Sequence, residues 1–127
     1  MHLLDSQLYQ EDLQKGINSV VCFQRLKNCS ILVTGATGLV CSALIDILIN
    51  SKLGITVYAA TRNESNVKDR FNGQVEFLKY DATKPIEFDV DVDYIIHGAS
   101  NSSPNLYISE PVETMKANIN GMENLLD

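Results

Sequence analysis

The chain has 127 residues, about the size of one small domain and too few for two. Hydrophobic residues make up 45% and charged residues 20%, a balance that excludes a disordered or low-complexity chain. The formal net charge is −6 and no basic cluster is visible, so we expect no nucleic-acid partner and no binding to an anionic membrane.

Neither a membrane span nor a targeting segment is visible in the chain. No apolar run approaches the roughly 18 residues that a span needs, and the N-terminus lacks the basic and apolar regions of a secretion signal. The three cysteines, Cys22, Cys29 and Cys41, form no CxxC pair and have no histidine at metal-ligand spacing. We therefore predict a cytoplasmic protein with reduced thiols and without a metal site.

Residues 1–29 predict an N-terminal helical extension, either one amphipathic helix or a pair of helices. We expect this segment to pack against a sheet or a partner subunit, and we find no chemistry in it. Its predicted apolar stripe comprises Leu8, Leu13, Ile17, Val20 and Phe23.

From residue 30 onward, short apolar runs alternate with helical patterns. Strands that alternate with helices pair in parallel through right-handed crossovers, so we predict an α/β layered sheet. Runs rich in β-branched and aromatic residues predict strands at 30–34, 55–60, 75–80 and 93–97.

Helical periodicity predicts three helices between and after these strands. The first runs from Leu39 to about Asn50, and a shorter one lies within 63–70. The last begins near Pro111, and one of its faces carries Met115, Ile119, Met122 and Leu126.

The most informative string is residues 31–41, Ile-Leu-Val-Thr-Gly-Ala-Thr-Gly-Leu-Val-Cys, a strand followed by a glycine-rich turn and a helix start. Backbone N–H groups at a helix N-terminus attract a pyrophosphate, and a Cβ at Gly35 or Gly38 would obstruct the turn or that approach. An ordinary strand-to-helix turn is the less favoured interpretation. No Gly-Lys-Ser/Thr follows, so a dinucleotide is expected rather than a triphosphate.

These residues resemble a known family. Thr34–Val40 resembles the TGxxGxxG start of the extended short-chain dehydrogenase/reductases, especially the NAD-dependent epimerase/dehydratase family that modifies nucleotide sugars. Three further stretches match in order, and the resemblance covers about residues 28–127. It implies a Rossmann-like sheet in the order 3-2-1-4, with the ligand crevice between strands one and four. The further stretches are Tyr80–Ala82, Ile96–Ser100 and Pro111–Leu126.

The resemblance also implies which residues bind an NAD or NADP cofactor. Asp81 and Ala82 lie against the adenine, and Gly98, Ala99 and Ser100 pass beside the cofactor. Ser102 and Ser103 either face substrate or are only solvated in a polar loop, residues 99–105. The remaining expected binding residues are Gly35, Thr37, Gly38, Leu39 and Val40 in the turn, Arg62 after the second strand, and Asn118 in the last helix.

Arg62 and Cys41 depart from the simplest form of this pattern. Arg62 follows strand two, where a carboxylate would bind the ribose of NAD, and an arginine suits a 2′-phosphate. The resemblance favours NAD, so the choice between NAD and NADP stays open.

Cys41 occupies the third glycine position. Its thiol either pushes the helix outward, weakening pyrophosphate contact, or the local packing adapts.

We predict no catalytic residue in the chain. The Tyr-x-x-x-Lys pair of the family follows a fifth strand, which we do not find here. Tyr80 and Lys84 match that spacing, but Tyr80 ends a strand and Pro85 disfavours helical backbone at Lys84. His97 has no acidic partner in sequence, and we expect it to be a packed, hydrogen-bonded core residue.

The resemblance thus implies the dinucleotide-binding part, residues 30–127, of a nucleotide-sugar epimerase, dehydratase or decarboxylase that works by transient hydride transfer to NAD(P). Its implied partners are a nucleotide sugar and a second copy of the chain. We expect a fragment of a longer enzyme that by itself binds dinucleotide weakly or not at all and turns nothing over. Two alternatives are a non-catalytic or atypical NADP-binding reductase or redox-sensor module, and a structural remnant that binds no cofactor.

Overall fold

The computed structural model describes residues 2–101 and 103–127, so Ser102 lies outside the described residues. Four parallel strands form one sheet: β1 (Ser30–Thr34), β2 (Thr56–Thr61), β3 (Glu76–Lys79) and β4 (Tyr94–His97). Their order is β3-β2-β1-β4. The predicted α/β fold and strand order are confirmed.

Five α-helices surround or precede this sheet in the described part of the chain. Two short 3-10 helices, Leu3–Asp5 and Phe23–Leu26, flank the first of them. The α-helices are α1 (Gln7–Ser19), α2 (Leu39–Asn50), α3 (Glu64–Phe71), α4 (Pro104–Ser109) and α5 (Pro111–Leu126). None of the helices described is long and apolar enough to cross a membrane.

β1 is one of the two inner strands of the sheet, and both of its faces are covered. Val33 pairs with Ala59 of β2 on one side and with Ile96 of β4 on the other, and it is fully buried. Successive strand residues point to opposite faces. Ile31 and Val33 therefore join a core cluster with α2 and α3, while Leu32 joins a second cluster that includes Leu125 of α5.

The N-terminal helix α1 packs against α2, not against the sheet. Leu13 is buried at this contact, and a Cβ added to Gly16 would lie 3.1 Å from Cδ1 of Ile47 in α2. The hydroxyl of Tyr9 donates a hydrogen bond to the Asp46 carboxylate at 2.5 Å. The contact face of α1 is thus partly polar.

The stripe predicted for this segment was wrong at two positions. Leu8 is 68% exposed and Val20 is 45% exposed. A hydropathy pattern counts only apolar side chains, so it does not register that Tyr9 finds a hydrogen-bond acceptor on α2. The contact follows Tyr9, Leu13 and Gly16, which share one side of the helix at spacings of four and three.

Two further differences lie near the C-terminus. The polar loop expected over 99–105 ends early, because Pro104 begins α4 at the first helical position, where its fixed φ is favourable. In α5 the buried positions are Thr114, Ala117, Gly121 and Leu125, while the predicted apolar face (Met115, Ile119, Met122 and Leu126) is exposed. The helix therefore packs on its small residues.

Candidate dinucleotide-binding site

A cavity of about 510 Å³ opens at the carboxyl ends of β1, β2 and β4. This is the edge at which ligands bind in open α/β sheets. Eleven of the twelve residues expected to bind a dinucleotide line it; Asn118 is exposed and does not, whereas its neighbour Ala117 does. The eleven are Gly35, Thr37, Gly38, Leu39, Val40, Arg62, Asp81, Ala82, Gly98, Ala99 and Ser100.

The turn after β1 needs glycine for two separate reasons at Gly35. Its φ is +66°, a left-handed conformation that side chains rarely adopt. A Cβ there would also lie 2.7 Å from the carbonyl carbon and oxygen of Gly98 and 2.9 Å from the nitrogen of Ala99. The turn after β1 and the turn after β4 therefore touch through backbone alone, which is possible only without a side chain at Gly35.

The N-terminus of α2 presents unpaired backbone donors to the cavity. Gly38 is the N-cap residue and offers no side-chain acceptor. Among the described residues, the N–H groups of Leu39, Val40 and Cys41 have no hydrogen-bond partner. Unpaired amides and the helix dipole together favour an anion at this position. A cradle of this kind, closed to side chains at Gly35, fits the pyrophosphate of a dinucleotide.

Thr34 joins the turn after β4 to β1. Its Oγ1 accepts hydrogen bonds from the backbone nitrogens of Gly98 at 3.1 Å and Ala99 at 3.2 Å, and it lies 2.8 Å from Nδ1 of His97. A hydroxyl has two acceptor sites and one proton, so with both acceptor sites filled it donates to Nδ1. The proton of the neutral imidazole is thereby assigned to Nε2.

His97 is half-buried and hydrogen-bonded to Thr34; the predicted hydrogen bond is present, but the residue belongs to neither core cluster. Its Nε2 is buried and has no hydrogen-bond partner among the described residues, and the edge of the ring meets the Tyr80 ring at a centroid distance of 6.5 Å. Burial lowers the pKa of His97 below its ordinary value, so the imidazole is neutral. It holds the turn, and in the part of the chain that the structure describes it has no acidic partner that would make it a base.

Cys41 is accommodated by the glycine opposite it. A Cβ at Gly98 would overlap Sγ of Cys41. Burial raises the pKa of this thiol, so it packs as a neutral group. Of the two outcomes left open by the sequence, the structure shows adaptation: β4 is followed by glycine, the thiol fills the space of the absent side chain, and the cavity stays open.

Two charged residues stand at the opposite end of the cavity. Arg62 follows β2 and is exposed, and Asp81 lies two residues beyond the end of β3. Oδ1 of Asp81 accepts hydrogen bonds from the nitrogen of Thr83 at 3.0 Å and from its Oγ1 at 2.7 Å. These bonds, with smaller contributions from Lys84 and Arg62, lower the pKa of Asp81 and keep its carboxylate ionised.

Tyr80 and Lys84 do not form a catalytic pair. Tyr80 is 4% exposed, and its hydroxyl donates to the carbonyl oxygen of Gly121 at 3.3 Å. Burial and then the charge of Asp81 raise the pKa of Tyr80, the opposite of what a base requires. Gly121 itself is needed here, because a Cβ on it would lie 3.1 Å from both the Tyr80 hydroxyl and the Ala82 side chain.

Several lining residues were missed by sequence reasoning. Asn101 has a visible role, since its amide donates to Oγ1 of Thr114 at 3.0 Å and ties the loop after β4 to α5. Ser103, for which the sequence allowed either a place facing substrate or solvation in a loop, is the N-cap residue of α4. Most of the missed residues adjoin a predicted one, and that adjacency was the available signal. They are Cys41, Ala60, Thr61, Tyr80, Thr83, Asn101 and Ala117.

Comparison with solved structures shows the same fold. The X-ray structure of Pen from Bacillus thuringiensis has a TM-score of 0.65 at 20% identity, covering 80% of this chain and 33% of that one. A short-chain dehydrogenase/reductase from Saccharomyces cerevisiae has a TM-score of 0.60 at 17% identity, covering 77% of this chain and 46% of that one.

Curated relatives are more similar in sequence. UDP-glucuronic acid decarboxylase 6 of Arabidopsis thaliana is 35% identical over 103 residues, which is 78% of this chain and 29% of the relative. UDP-glucuronic acid decarboxylase 1 of Danio rerio is 34% identical over 99 residues, 76% of this chain and 23% of the relative. The chain thus spans less than a third of the length of these relatives.

The family comparison agrees with the solved structures and with the curated relatives. The family model described as "NAD dependent epimerase/dehydratase family" matches residues 31–127, the part that contains the sheet and the cavity. It confirms the resemblance drawn from the four motifs and, at the level of the family, the expected nicotinamide dinucleotide cofactor. The chain belongs to the NAD-dependent epimerase/dehydratase family.

Proposed function

We propose that this chain is the dinucleotide-binding part of an enzyme that modifies a nucleotide sugar through transient hydride transfer. The relatives named UDP-glucuronic acid decarboxylases support the substrate class. The observation that carries the proposal is the row of unpaired amides at Leu39, Val40 and Cys41 beside the glycine turn. We propose the same division as the sequence, with 1–29 as an extension and 30–127 as the binding unit.

Each end of the cavity has a separate task in this proposal. The amides of Leu39 and Val40 bind the pyrophosphate, and Asp81 binds on the adenine side. Gly98 and Ser100 flank the nicotinamide side. When bound, a nicotinamide dinucleotide supplies a reversible hydride acceptor. The chain's own residues bind and orient it, and we assign none of them a proton-transfer step.

A second candidate function is a non-catalytic NADP-binding module. Arg62 favours it, because an arginine at the end of β2 suits a 2′-phosphate. Turnover separates the two candidates, since only the first predicts that the complete protein converts a nucleotide sugar. The third possibility is a remnant that binds no cofactor; Cys41 made it more credible, and the glycine opposite that thiol argues against a steric block there.

We also propose that the chain forms a homodimer through the exposed face of α5. Met115, Ile119 and Leu126 are 58%, 60% and 74% exposed there. Apolar side chains grouped on one helix face stabilise a protein when a second surface covers them. The cytoplasm is the compartment in which we expect this protein to work.

Removal of a single amide donor tests the proposed function. Leu39 is the first residue of α2, and Gly38 before it is extended (ψ 160°), so Leu39→Pro is compatible with the backbone. It deletes one N–H that we assign to the pyrophosphate. Gln7→Pro is the matched control, because Gln7 is the first residue of α1 and follows the extended Ser6.

Binding of NAD⁺ and NADP⁺ is measured by NMR titration at millimolar dinucleotide, which detects weak binding. We expect Leu39→Pro to weaken binding about tenfold, the cost of one charge-assisted hydrogen bond, while Gln7→Pro binds as the unchanged chain does. Far-UV circular dichroism checks that both variants fold. Of the two expectations stated for the chain by itself, weak binding and no binding, the proposed function requires weak binding, so it is wrong if the unchanged chain binds neither dinucleotide.

A further inference from the structure

The end of the cavity at β2 carries a cationic side chain that the protein itself does not use. Arg62 directly follows Thr61, the last residue of β2, and lines the cavity. Within residues 2–101 and 103–127, its guanidinium makes neither a hydrogen bond nor an ion pair. An arginine presents up to five N–H donors and no acceptor. Any ligand group that it hydrogen-bonds here must therefore be an acceptor, preferably an anion.

The polar side chains that directly follow Arg62 in the sequence do not line the cavity. Oδ1 of Asn63 accepts hydrogen bonds from the nitrogen of Ser65 at 3.0 Å and from its hydroxyl at 2.7 Å, as the N-cap of α3. The Glu64 carboxylate pairs with the Lys68 ammonium at 2.8 Å, one turn along the same helix. No carboxylate at the end of β2 therefore lines the cavity among the described residues.

Asp81 is the one carboxylate that lines the described cavity, and its Oδ1 accepts both bonds from Thr83. Arg62 is the one arginine or lysine among the described residues that line the cavity, and it forms no ion pair with Asp81. Its guanidinium is therefore available to an anionic group of the ligand.

We propose that this site selects a 2′-phosphorylated dinucleotide, NADP(H) over NAD(H), with Arg62 as the residue that binds the 2′-phosphate. A free 2′-hydroxyl is bound best by a carboxylate, and none lines the described cavity at the end of β2, whereas a 2′-phosphate accepts bonds from the unengaged guanidinium. The inference rests on the proposed function. It also separates this chain from the cofactor in the family's description, which is NAD.

Arg62 has one other chemically reasonable role, stacking on the adenine ring. Stacking does not distinguish the two dinucleotides, since both carry the same adenine. A substitution that removes the guanidinium therefore affects NAD⁺ and NADP⁺ equally under stacking, and NADP⁺ alone under phosphate binding. The ratio of the two affinities is the quantity to measure.

The experiment titrates the chain with NAD⁺ and with NADP⁺ at low ionic strength, in parallel with Arg62→Gln and Arg25→Gln. Arg25 is an exposed arginine in the 3-10 helix Phe23–Leu26, outside the cavity, so its substitution controls for net charge. We expect NADP⁺ to bind about tenfold more tightly or better, from a charge-assisted pair at the phosphate. Arg62→Gln removes that preference, and Arg25→Gln keeps it.

Three results overturn the inference. Equal or tighter binding of NAD⁺ by the unchanged chain refutes selection of the 2′-phosphate and leaves the proposed function standing. An equal loss for both dinucleotides in Arg62→Gln assigns the guanidinium to the adenine. Binding of neither dinucleotide refutes the proposed function together with the inference, so the two failures are distinguishable.

Discussion

Replacement of Thr34 by valine tests whether the turn after β4 is held by a hydroxyl. Thr34 is fully buried, and valine has nearly its shape without the hydroxyl. In Thr34→Val the amide of Gly98 keeps a second acceptor, the carbonyl oxygen of Thr34 at 3.2 Å. The amide of Ala99 and Nδ1 of His97 lose their hydrogen-bond partner.

The loss of stability in Thr34→Val follows from the amide of Ala99 and Nδ1 of His97, which lose their hydrogen-bond partner. Each buried polar group left without a partner costs about 1–3 kcal/mol, so loss of both hydrogen bonds should lower the free energy of unfolding by about 2–6 kcal/mol. At about 4 °C per kcal/mol for a domain of this size, the melting temperature falls by about 8–24 °C. Urea unfolding and calorimetry measure these quantities directly.

Thr34→Ser is the matched control, because it keeps the hydroxyl and removes one methyl group. Burial of a methyl group stabilises by about 1 kcal/mol, so serine should cost clearly less than valine. If valine costs no more than serine, the hydroxyl does not hold the turn, and the proton assignment at His97 fails with it.

Three further predictions concern stability and assembly. Burial lowers the pKa of His97, so the unfolded state binds the imidazole proton more tightly than the folded state does. The urea concentration at the unfolding midpoint should therefore decrease when the pH is lowered from about 7.5 to about 5.5. His97→Asn should flatten that dependence and His2→Asn should not; an unchanged slope in His97→Asn would contradict the assignment. Asp46 forms a buried ion pair with the guanidinium of Arg70, so Asp46→Asn should lower the free energy of unfolding by about 3–5 kcal/mol. Tyr9→Phe removes one hydrogen bond to Asp46 and should lower it by only about 1 kcal/mol. Equal costs of the two substitutions would argue against the ion pair. Light scattering should show a dimer that Ile119→Lys dissociates and Asn120→Lys leaves intact, and a monomer at high concentration would refute the α5 interface.

The parts of the fold that were predictable depend on local patterns. β1 was predicted at its exact bounds, because a β-branched run ends at Gly35, whose positive φ stops the strand. The cavity residues were predictable because short motifs follow strand ends, and parallel strands bring their carboxyl ends to one edge of the sheet. Both kinds of prediction need only residues that are close in sequence.

The parts that failed depend on contacts between distant residues. The residues around Tyr9 do not indicate that its hydroxyl will bind Asp46, 37 residues away in the sequence. The contact face of α1 was therefore misassigned. The match between Cys41 and Gly98 is likewise a steric relation across 57 positions, and neither residue indicates it alone. Asn118 was placed toward the cofactor by resemblance, but helix α5 turns the neighbouring Ala117 to the cavity.

The amide resonances of α2 offer the most direct test of the central claim, that Leu39, Val40 and Cys41 donate to a pyrophosphate. In a ¹H–¹⁵N titration with NADP⁺, we predict that these three amides show the largest downfield shifts, because each gains a hydrogen bond to an anion. The amide of Leu8 in α1 should not move. If the dinucleotide binds while these three amides stay in place, the pyrophosphate lies elsewhere and the account is wrong.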